Sequence, residues 1–106
     1  MNKVVKDRPK LSLCMIIKNE EEHLGECLES TRAFIDELIV VDTGSTDSSV
    51  AIARQHGASV FFHKWENDFA RHRNQSISYA TGDWILILDG DEELMEGSGP
   101  TIRDRI

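Results

Sequence analysis

The sequence predicts an α/β fold in three layers, with a mainly parallel sheet of about four strands and helices on both of its faces. Two observations lead to this prediction. Apolar runs of strand length alternate along the chain with segments of helical periodicity, which is typical of parallel strands joined by right-handed crossovers. The last apolar run, 84–88, is bulky and uninterrupted, which favours a strand covered on both faces.

The first strand is the mostly apolar run 11–17, and a helix is predicted to follow it. Asn19 is a good helix N-cap, and Glu22 stands three residues later, which is the spacing of a capping box. Side chains with helical spacing then predict one buried helix face, which consists of Leu24, Cys27, Leu28, Thr31, Phe34 and Ile35.

The second strand and the second helix follow in the same alternation. The apolar run 37–41 ends at Asp42, and the loop after it is rich in residues that begin helices. The helical segment 49–56 ends before Gly57, a suitable helix stop. A third, shorter strand covers 58–62.

The third helix is expected to begin at an N-cap, either Asn67 or Asp68, and to close at 81–82. The fourth strand is the run 84–88, which leads directly into Asp89. The apolar residues of the third helix predict its buried face, which consists of Phe69, Ala70, Ile77 and Ala80.

The composition predicts one domain, with residues 1–10 as a leader, 11–93 as the core and 94–106 as a tail. The formal net charge of −7 repels nucleic-acid phosphates, so nucleic acid is a poor partner. No apolar run approaches the ~18 residues of a membrane span, and the leader has no apolar signal core. Cys14 and Cys27 are expected to be buried, reduced thiols, which favours a cytoplasmic location.

Polar residues follow each predicted strand. In a parallel sheet the carboxyl ends of all strands meet at one edge, and ligands bind there where the strand order reverses. The sequence therefore predicts a ligand site at this edge, built from residues 18–20, 42–45, 63–64 and 89–93.

The acidic residues of this edge predict a metal and a nucleotide. Asp89 and Asp91 can share a hard cation such as Mg²⁺ or Mn²⁺, which in turn takes substrate phosphates. Asp42 is placed to accept hydrogen bonds from a base or a ribose. Gly44 and Ser45, at a helix start, allow a ligand to approach the backbone closely.

Other functions share some of these features. A solvated acidic loop needs no ligand. The segment 42–45 also spells the aspartic protease signature, although such proteases are all-β. A calcium loop would need glycine where Leu94 stands. A receiver-type signalling module would also hold Mg²⁺ at this edge, but with an acidic pair after the first strand, where this chain has residues 18–20.

Several motifs together resemble the family 2 glycosyltransferases of the GT-A fold. The resemblance runs from about Leu11 to Glu93 and places each motif, in order, at the end of a strand or on the third helix. The motifs are the segments 13–21, 39–47 and 82–92, the last with its Asp-x-Asp at 89–91, together with Trp65, 68–70 and 73–74.

The resemblance implies a hexosyltransferase-type enzyme that uses a divalent cation, Mn²⁺ or Mg²⁺, and a nucleotide-sugar donor, commonly a UDP-sugar. It implies that Asp42 contacts the uracil, that Asp89 contacts the ribose or the metal, and that Asp91 binds the metal. It also implies that Asn19 and Glu20 line the nucleotide pocket. Arg73 is expected to reach toward the base or the phosphates, with Arg71 as a rival for that role. Trp65 is expected to be a packing residue under the loop.

The length departs from the family pattern, because the acceptor site and the catalytic base of an inverting member are expected beyond Ile106. No catalytic residue is identified, and the chain is expected to be the nucleotide-binding, Rossmann-like half of a GT-A domain. A half-sheet would leave a strand edge uncovered, so a homodimer through that edge is expected.

Overall fold

The computed structural model describes residues 9–89. The predicted alternation of strands and helices is confirmed. Residues 1–8 of the predicted leader, residues 90–93 of the predicted core and the tail lie outside the described residues. The elements are β1 (Leu11–Ile17), α1 (Leu24–Thr31), β2 (Glu37–Asp42), α2 (Ser49–Gln55), β3 (Ser59–Phe62), α3 (Phe69–Tyr79) and β4 (Trp84–Ile87).

All four strands run parallel in the order β3-β2-β1-β4. The chain builds β1, β2 and β3 in one direction across the sheet and then crosses back, so β4 pairs with the other side of β1. The strand order therefore reverses between β1 and β4. Ligand sites of parallel sheets form at such a point, beyond the carboxyl ends of the strands.

Helices cover both faces of the sheet, as predicted. On one face, α1 and α2 bury side chains of β1 and β2 in a single apolar cluster. On the other face, α3 packs against β1 and β2, and the Cys14 thiol donates a hydrogen bond to the Ser76 carbonyl at 3.6 Å. The main cluster contains Leu13, Met15, Ile17, Leu24, Cys27, Leu28, Leu38, Val40, Ala53 and Leu88.

The expected cap of the first helix is wrong. Helix α1 begins at Leu24, and its N-cap residue, His23, makes no side-chain cap. Asn19 has φ +53°, and its side-chain oxygen accepts a hydrogen bond from Thr46 N at 2.8 Å. Asparagine tolerates this left-handed backbone conformation, so its amide bonds to the next loop instead of to a helix end.

The predicted buried face of α3 is also wrong. The side chains that face the sheet are His72 and Ser76, which are 0% and 1% exposed, whereas Phe69 is 44% exposed. Both buried groups are hydrogen-bonded: Ser76 Oγ donates to Arg73 O at 2.7 Å, and His72 Nε2 accepts from Glu66 N at 3.1 Å. Apolar periodicity cannot reveal a helix face made of satisfied polar groups. Of the two predicted caps of this helix, Asn67 and Asp68, the structure has Asp68, whose side chain accepts a hydrogen bond from Arg71 N.

The fourth strand is not covered on both faces as predicted. In the sheet formed by residues 9–89, strand β4 lies at the edge, and Trp84, Ile85 and Ile87 are 50%, 39% and 38% exposed. The apolar run identified a strand, but it could not reveal which strand would be at the edge. Within the described residues, no helix has both the length and the apolar character needed to cross a bilayer.

Candidate functional site

Asp42 and Asp89 lie at the carboxyl edge of the sheet, on opposite sides of β1. Asp42 ends β2 and pairs with Ile17, the last residue of β1. On the other side Ile87 pairs with Cys14, and Asp89 follows two residues later. Their backbones are therefore at nearly the same level, two strand spacings or roughly 10 Å apart. The predicted collection of carboxylates at one edge is present for these two residues.

The Asp42 carboxylate has one satisfied oxygen and one unsatisfied oxygen. Its Oδ2 accepts hydrogen bonds from Gly44 N at 3.1 Å and from Ser45 N at 3.0 Å, which shapes the turn after β2. Gly44 has φ +127°, a conformation that favours glycine. Asp42 Oδ1 is buried and accepts no hydrogen bond within the described part of the chain. A buried acceptor without a donor is costly, so this atom is suited to a donor supplied by a ligand.

Asn19 and Ser45, which were predicted to contact a ligand, contact each other. Asn19 N donates to Ser45 Oγ at 2.9 Å, and the Asn19 side chain accepts from the next residue, Thr46. These bonds join the loop after β1 to the loop after β2. Both loops border the site. The contact between Asn19 and Ser45 therefore fixes the position of one loop relative to the other.

Ser49 extends this connection into helix α2. Its buried hydroxyl accepts from Glu20 N at 2.8 Å and donates to Asp47 Oδ1 at 2.6 Å. Asp47 also accepts from the Ser49 and Glu21 amides. The hydrogen bond from the Ser49 hydroxyl is the main reason that the pKa of Asp47 lies below its ordinary value.

A cleft of about 340 Å³ opens beside the carboxyl ends of β1 and β2. This volume lies in the usual range of small-molecule sites, roughly 300–1,000 Å³. Among the residues predicted to bind the nucleotide, Glu20 lines this cleft directly. Asp42 does not line it but is next to Thr43, which does. The lining residues are Ile16, Ile17, Lys18, Glu20, Thr43, Trp65 and Phe69.

Lys18 and Thr43 line this cleft, and both belong to the segments 18–20 and 42–45 that were predicted at this edge, although neither was given a role of its own. Sequence reasoning missed Phe69 as a residue of the cleft. Phe69 was predicted to be buried in the face of α3. It lines the cleft instead, because the buried positions of α3 are occupied by His72 and Ser76.

Trp65 packs as expected but also lines the cleft. Its ring stacks on the buried His72 ring with a centroid distance of 5.0 Å and an interplanar angle of 22°. The indole Nε1 donates to Asn67 Oδ1 at 2.9 Å. The backbone before α3 is bonded to the same histidine, because Glu66 N donates to His72 Nε2.

The two arginines of α3 differ in their surroundings. The Arg73 guanidinium carbon lies 5.2 Å from the centre of the Phe69 ring, so Arg73 is next to the wall of the cleft. Arg71 instead forms an ion pair with Glu66, with 3.4 Å between Nε and Oε1. The geometry favours Arg73 over Arg71 as the arginine nearer to a bound ligand.

The metal site predicted at Asp89 and Asp91 is described only at Asp89. Carboxylate oxygens, here from Asp42 and Asp89, are the donors that Mg²⁺ and Mn²⁺ prefer, so the chemistry of the edge fits these ions. Among residues 9–89, no group of three or more His, Cys, Asp or Glu side chains is placed to hold a metal ion.

A second cleft, of about 280 Å³, lies at the opposite edge of the sheet. Its charged residues are engaged in structural contacts. Glu37 accepts hydrogen bonds from Thr81 and Ser12, and Asp36 accepts one from Leu11 N. The edge that carries Asp42 and Asp89 is therefore the better candidate.

Several solved structures share this fold. Glucosyl-3-phosphoglycerate synthase from Mycobacterium tuberculosis in complex with UDP matches with a TM-score of 0.69 and 25% identity, over 79% of this chain and 34% of that chain. The same synthase in complex with Mn²⁺, UDP-glucose and phosphoglyceric acid matches with a TM-score of 0.67 and 25% identity, over 77% of this chain and 33% of that chain.

Several curated proteins are also similar in sequence. A TPR repeat-containing protein of Synechococcus elongatus is 48% identical over 92% of this chain and 24% of its own length. The SPbeta prophage-derived glycosyltransferase SunS of Bacillus subtilis is 37% identical over 80% of this chain and 21% of its own length. A glycosyltransferase of Rickettsia felis is 41% identical over 80% of this chain and 30% of its own length. The chain spans about a fifth to a third of these relatives.

The model of the family described as glycosyl transferase family 2 matches residues 12–102. This range includes every strand and helix of the described structure except the first residue of β1. The similar structures share the parallel sheet and its flanking helices, which confirms the resemblance expected from the motifs. This chain therefore belongs to glycosyl transferase family 2.

Proposed function

We propose that this chain is the nucleotide-sugar-binding part of a hexosyltransferase-type glycosyltransferase, and that it binds a UDP-linked sugar together with Mn²⁺ or Mg²⁺. The observation that carries the proposal is the position of Asp42 and Asp89 on either side of β1, where the strand order reverses. Family membership supports it. So do the similar structures, which hold UDP with Mn²⁺ or Mg²⁺.

Asp42 is the proposed contact of the base. Its Oδ1 is a buried acceptor without a donor in the described residues, and Asp42 directly precedes Thr43, which lines the cleft. Uracil carries a ring N–H at position 3, whereas cytosine has an acceptor there. A carboxylate oxygen that faces ring position 3 therefore favours uracil over cytosine, because uracil donates an N–H there and cytosine presents a lone pair.

Asp89 and Asp91 are the proposed holders of the cation. Their oxygen donors suit Mn²⁺ and Mg²⁺. The cation, when bound, supplies positive charge that offsets the charge developing on the departing diphosphate. Asp89 is exposed at the end of β4, on the side of β1 that faces away from Asp42.

Two cationic side chains are proposed to assist with the phosphates. Lys18 lines the cleft, and Arg73 stands beside its wall. Glu20 lines the cleft as part of the pocket, and Gly44 shapes the turn that presents Asp42. Asn19 and Ser45 are proposed to act by joining the two loops that border the site.

The alternatives considered from the sequence lose their support. The protease signature at 42–45 lies between a parallel strand and helix α2, which differs from an all-β protease. A receiver-type signalling module would also hold Mg²⁺ at this edge of the sheet, but this chain belongs to a different family, glycosyl transferase family 2. We further propose a cytoplasmic location, which the two buried thiols, Cys14 and Cys27, support.

Titration calorimetry tests the proposal. We expect the chain to bind UDP in the presence of Mn²⁺, to bind it more weakly in EDTA, and to prefer UDP over CDP. Asp89→Asn and Asp91→Asn should each remove the effect of Mn²⁺. The matched control is Asp83→Asn. The Asp83 carboxylate accepts a hydrogen bond from Lys10 N at the amino-terminal ends of the strands, away from the proposed site. Equal UDP affinity in Mn²⁺ and in EDTA would contradict the metal role.

A further inference from the structure

Two aromatic side chains form one wall of the cleft. Trp65 and Phe69 contact each other edge to face, with a centroid distance of 6.4 Å and an interplanar angle of 68°. Phe69 is 44% exposed, and it lines the cleft. Convergent aromatic rings exposed inside a cleft are typical of ligand sites, because an aromatic ligand removes their surface from water.

The Trp65 ring is held rigidly. On one side it stacks on His72, which is 0% exposed, and its N–H is bonded to Asn67. His72 does not line the cleft, whereas Trp65 does. Trp65 therefore contacts the buried imidazole and also forms part of the cleft wall. A ring that is already immobilised loses little conformational freedom when a ligand stacks on it.

The order of the strands indicates which part of a nucleotide-sugar reaches this wall. The cleft borders Thr43, next to Asp42, and the segment that carries Trp65 leaves β3, on the same side of β1. Asp89 lies on the other side of β1, beside β4. A donor that extends from Asp42 toward Asp89 would place its base near Trp65 and its diphosphate and sugar near β4.

We infer that Trp65 is the surface on which the nucleobase of the donor stacks, and that Phe69 closes the side of this base site. The inference rests on the proposed function, since it assigns one part of the proposed ligand to one wall of the cleft. Stacking supplies affinity for any base, and the Asp42 carboxylate then selects among the bases by hydrogen bonding.

The fluorescence of Trp65 provides a direct test. The chain has two tryptophans. The other one, Trp84, is the first residue of β4 and therefore lies at the amino-terminal ends of the strands, away from the cleft. In the Trp84→Phe chain, Trp65 is the single reporter. We expect uridine, which lacks phosphates, to quench this fluorescence to saturation equally in Mn²⁺ and in EDTA. The Trp65→Phe chain, which retains Trp84, should show no response to uridine.

Substitution tests the contribution to affinity. Trp65→Leu should weaken the binding of uridine and of UDP with Mn²⁺ by the same factor, about tenfold, because both ligands lose the same stacking contact. The matched control is Phe62→Leu. Phe62 is 60% exposed and does not line the cleft, so this substitution should change neither affinity.

The outcomes separate the inference from the proposed function. If UDP binds with Mn²⁺ but uridine leaves Trp65 fluorescence unchanged, the base site is elsewhere and the proposed function stands. A response to UDP-glucose that UDP does not produce would assign Trp65 to the sugar and also overturn the inference. If the unaltered chain binds no UDP in the presence of Mn²⁺, both are wrong. The fluorescence measurement decides the question even if Trp65→Leu fails to fold.

Discussion

The hydroxyl of Ser49 donates a hydrogen bond of 2.6 Å to the carboxylate of Asp47. The same hydroxyl accepts a hydrogen bond from Glu20 N, so one buried side chain joins the loop after β1 to the loop after β2. Those two loops border the cleft and carry the turn that shapes Asp42. Both the stability of the domain and the geometry of its site therefore depend on the hydrogen bonds of Ser49.

Removing the Ser49 hydroxyl should destabilise the domain. Ser49→Ala leaves the Glu20 amide and one Asp47 oxygen without this partner in a site that is 0% exposed, and we expect a loss of about 1–3 kcal/mol in the free energy of unfolding. Urea unfolding monitored by circular dichroism measures it. The control is Ser48→Ala, since Ser48 is exposed and makes no side-chain cap. Equal stabilities of the two variants would contradict the prediction.

The stability should decrease as the pH falls through the acid range. The pKa of Asp47 is lowered from 3.8, chiefly by the Ser49 hydrogen bond. A carboxyl whose pKa is lower in the folded state stabilises the fold above its unfolded pKa, and this contribution is lost as the pH falls through the folded pKa. We expect the difference in unfolding free energy between the unaltered chain and Asp47→Asn to shrink below about pH 4.

Urea unfolding at a series of pH values measures this difference. Glu22→Gln is the control, because the Glu22 side chain is 86% exposed. A difference between the unaltered chain and Asp47→Asn that stays constant from neutral to acid pH would show that Asp47 makes no such contribution.

Gly82 should not tolerate a side chain. A Cβ at this position would overlap Ser12 Oγ and would lie 3.0 Å from Lys10 O and 3.0 Å from Ser12 N. Because two of these atoms are backbone, we expect Gly82→Ala to cost about 1–3 kcal/mol of unfolding free energy. Thermal unfolding measures the change.

Gly25→Ala is the matched control for this overlap. Gly25 lies within α1, and the nearest atom to its added Cβ would be 4.0 Å away, in Ile52. Since alanine favours a helix interior over glycine, this variant should gain up to about 1 kcal/mol. The two substitutions should therefore shift the melting temperature in opposite directions.

The exposed edge of the sheet should allow self-association. Strand β4 is at one edge of the sheet in the described part of the chain, with Trp84, Ile85 and Ile87 partly exposed. Unpaired apolar edges favour pairing with a second chain. We expect light scattering to detect a dimer at micromolar concentration, and Ile87→Lys to shift it toward the monomer. A monomer at these concentrations in the unaltered chain would show that the edge does not pair.

Local patterns were sufficient for the order of the elements. Each strand is a mostly apolar run with a polar residue at its end or within the next two positions, so the positions of Asp42 at the end of β2 and of Asp89 just after β4 could be predicted without coordinates. The motifs around them were also sufficient for the family. The cap at Asp68 was predictable because capping depends on neighbouring residues only.

Predictions that required long-range partners failed. Asn19 is a good cap by its type, but Thr46 offers its amide a better-placed partner in the next loop. The buried face of α3 failed for another reason: it was predicted from apolar side chains, whereas His72 is buried with both of its nitrogens hydrogen-bonded to near neighbours in sequence, Glu66 and Gln75. Apolar spacing does not include such polar pairs.

The amino-acid sequence by itself determined the α/β class, the family and the placement of carboxylates after the strands, because hydrophobic periodicity and short motifs act over a few neighbouring residues. Only the tertiary structure decided that β4 is the edge strand of the sheet within residues 9–89, that Asn19 and Ser45 bond to each other, and that Trp65 and Phe69 line the cleft. Burial and hydrogen-bond satisfaction depend on residues distant in sequence, and their positions are defined only once the strands have paired.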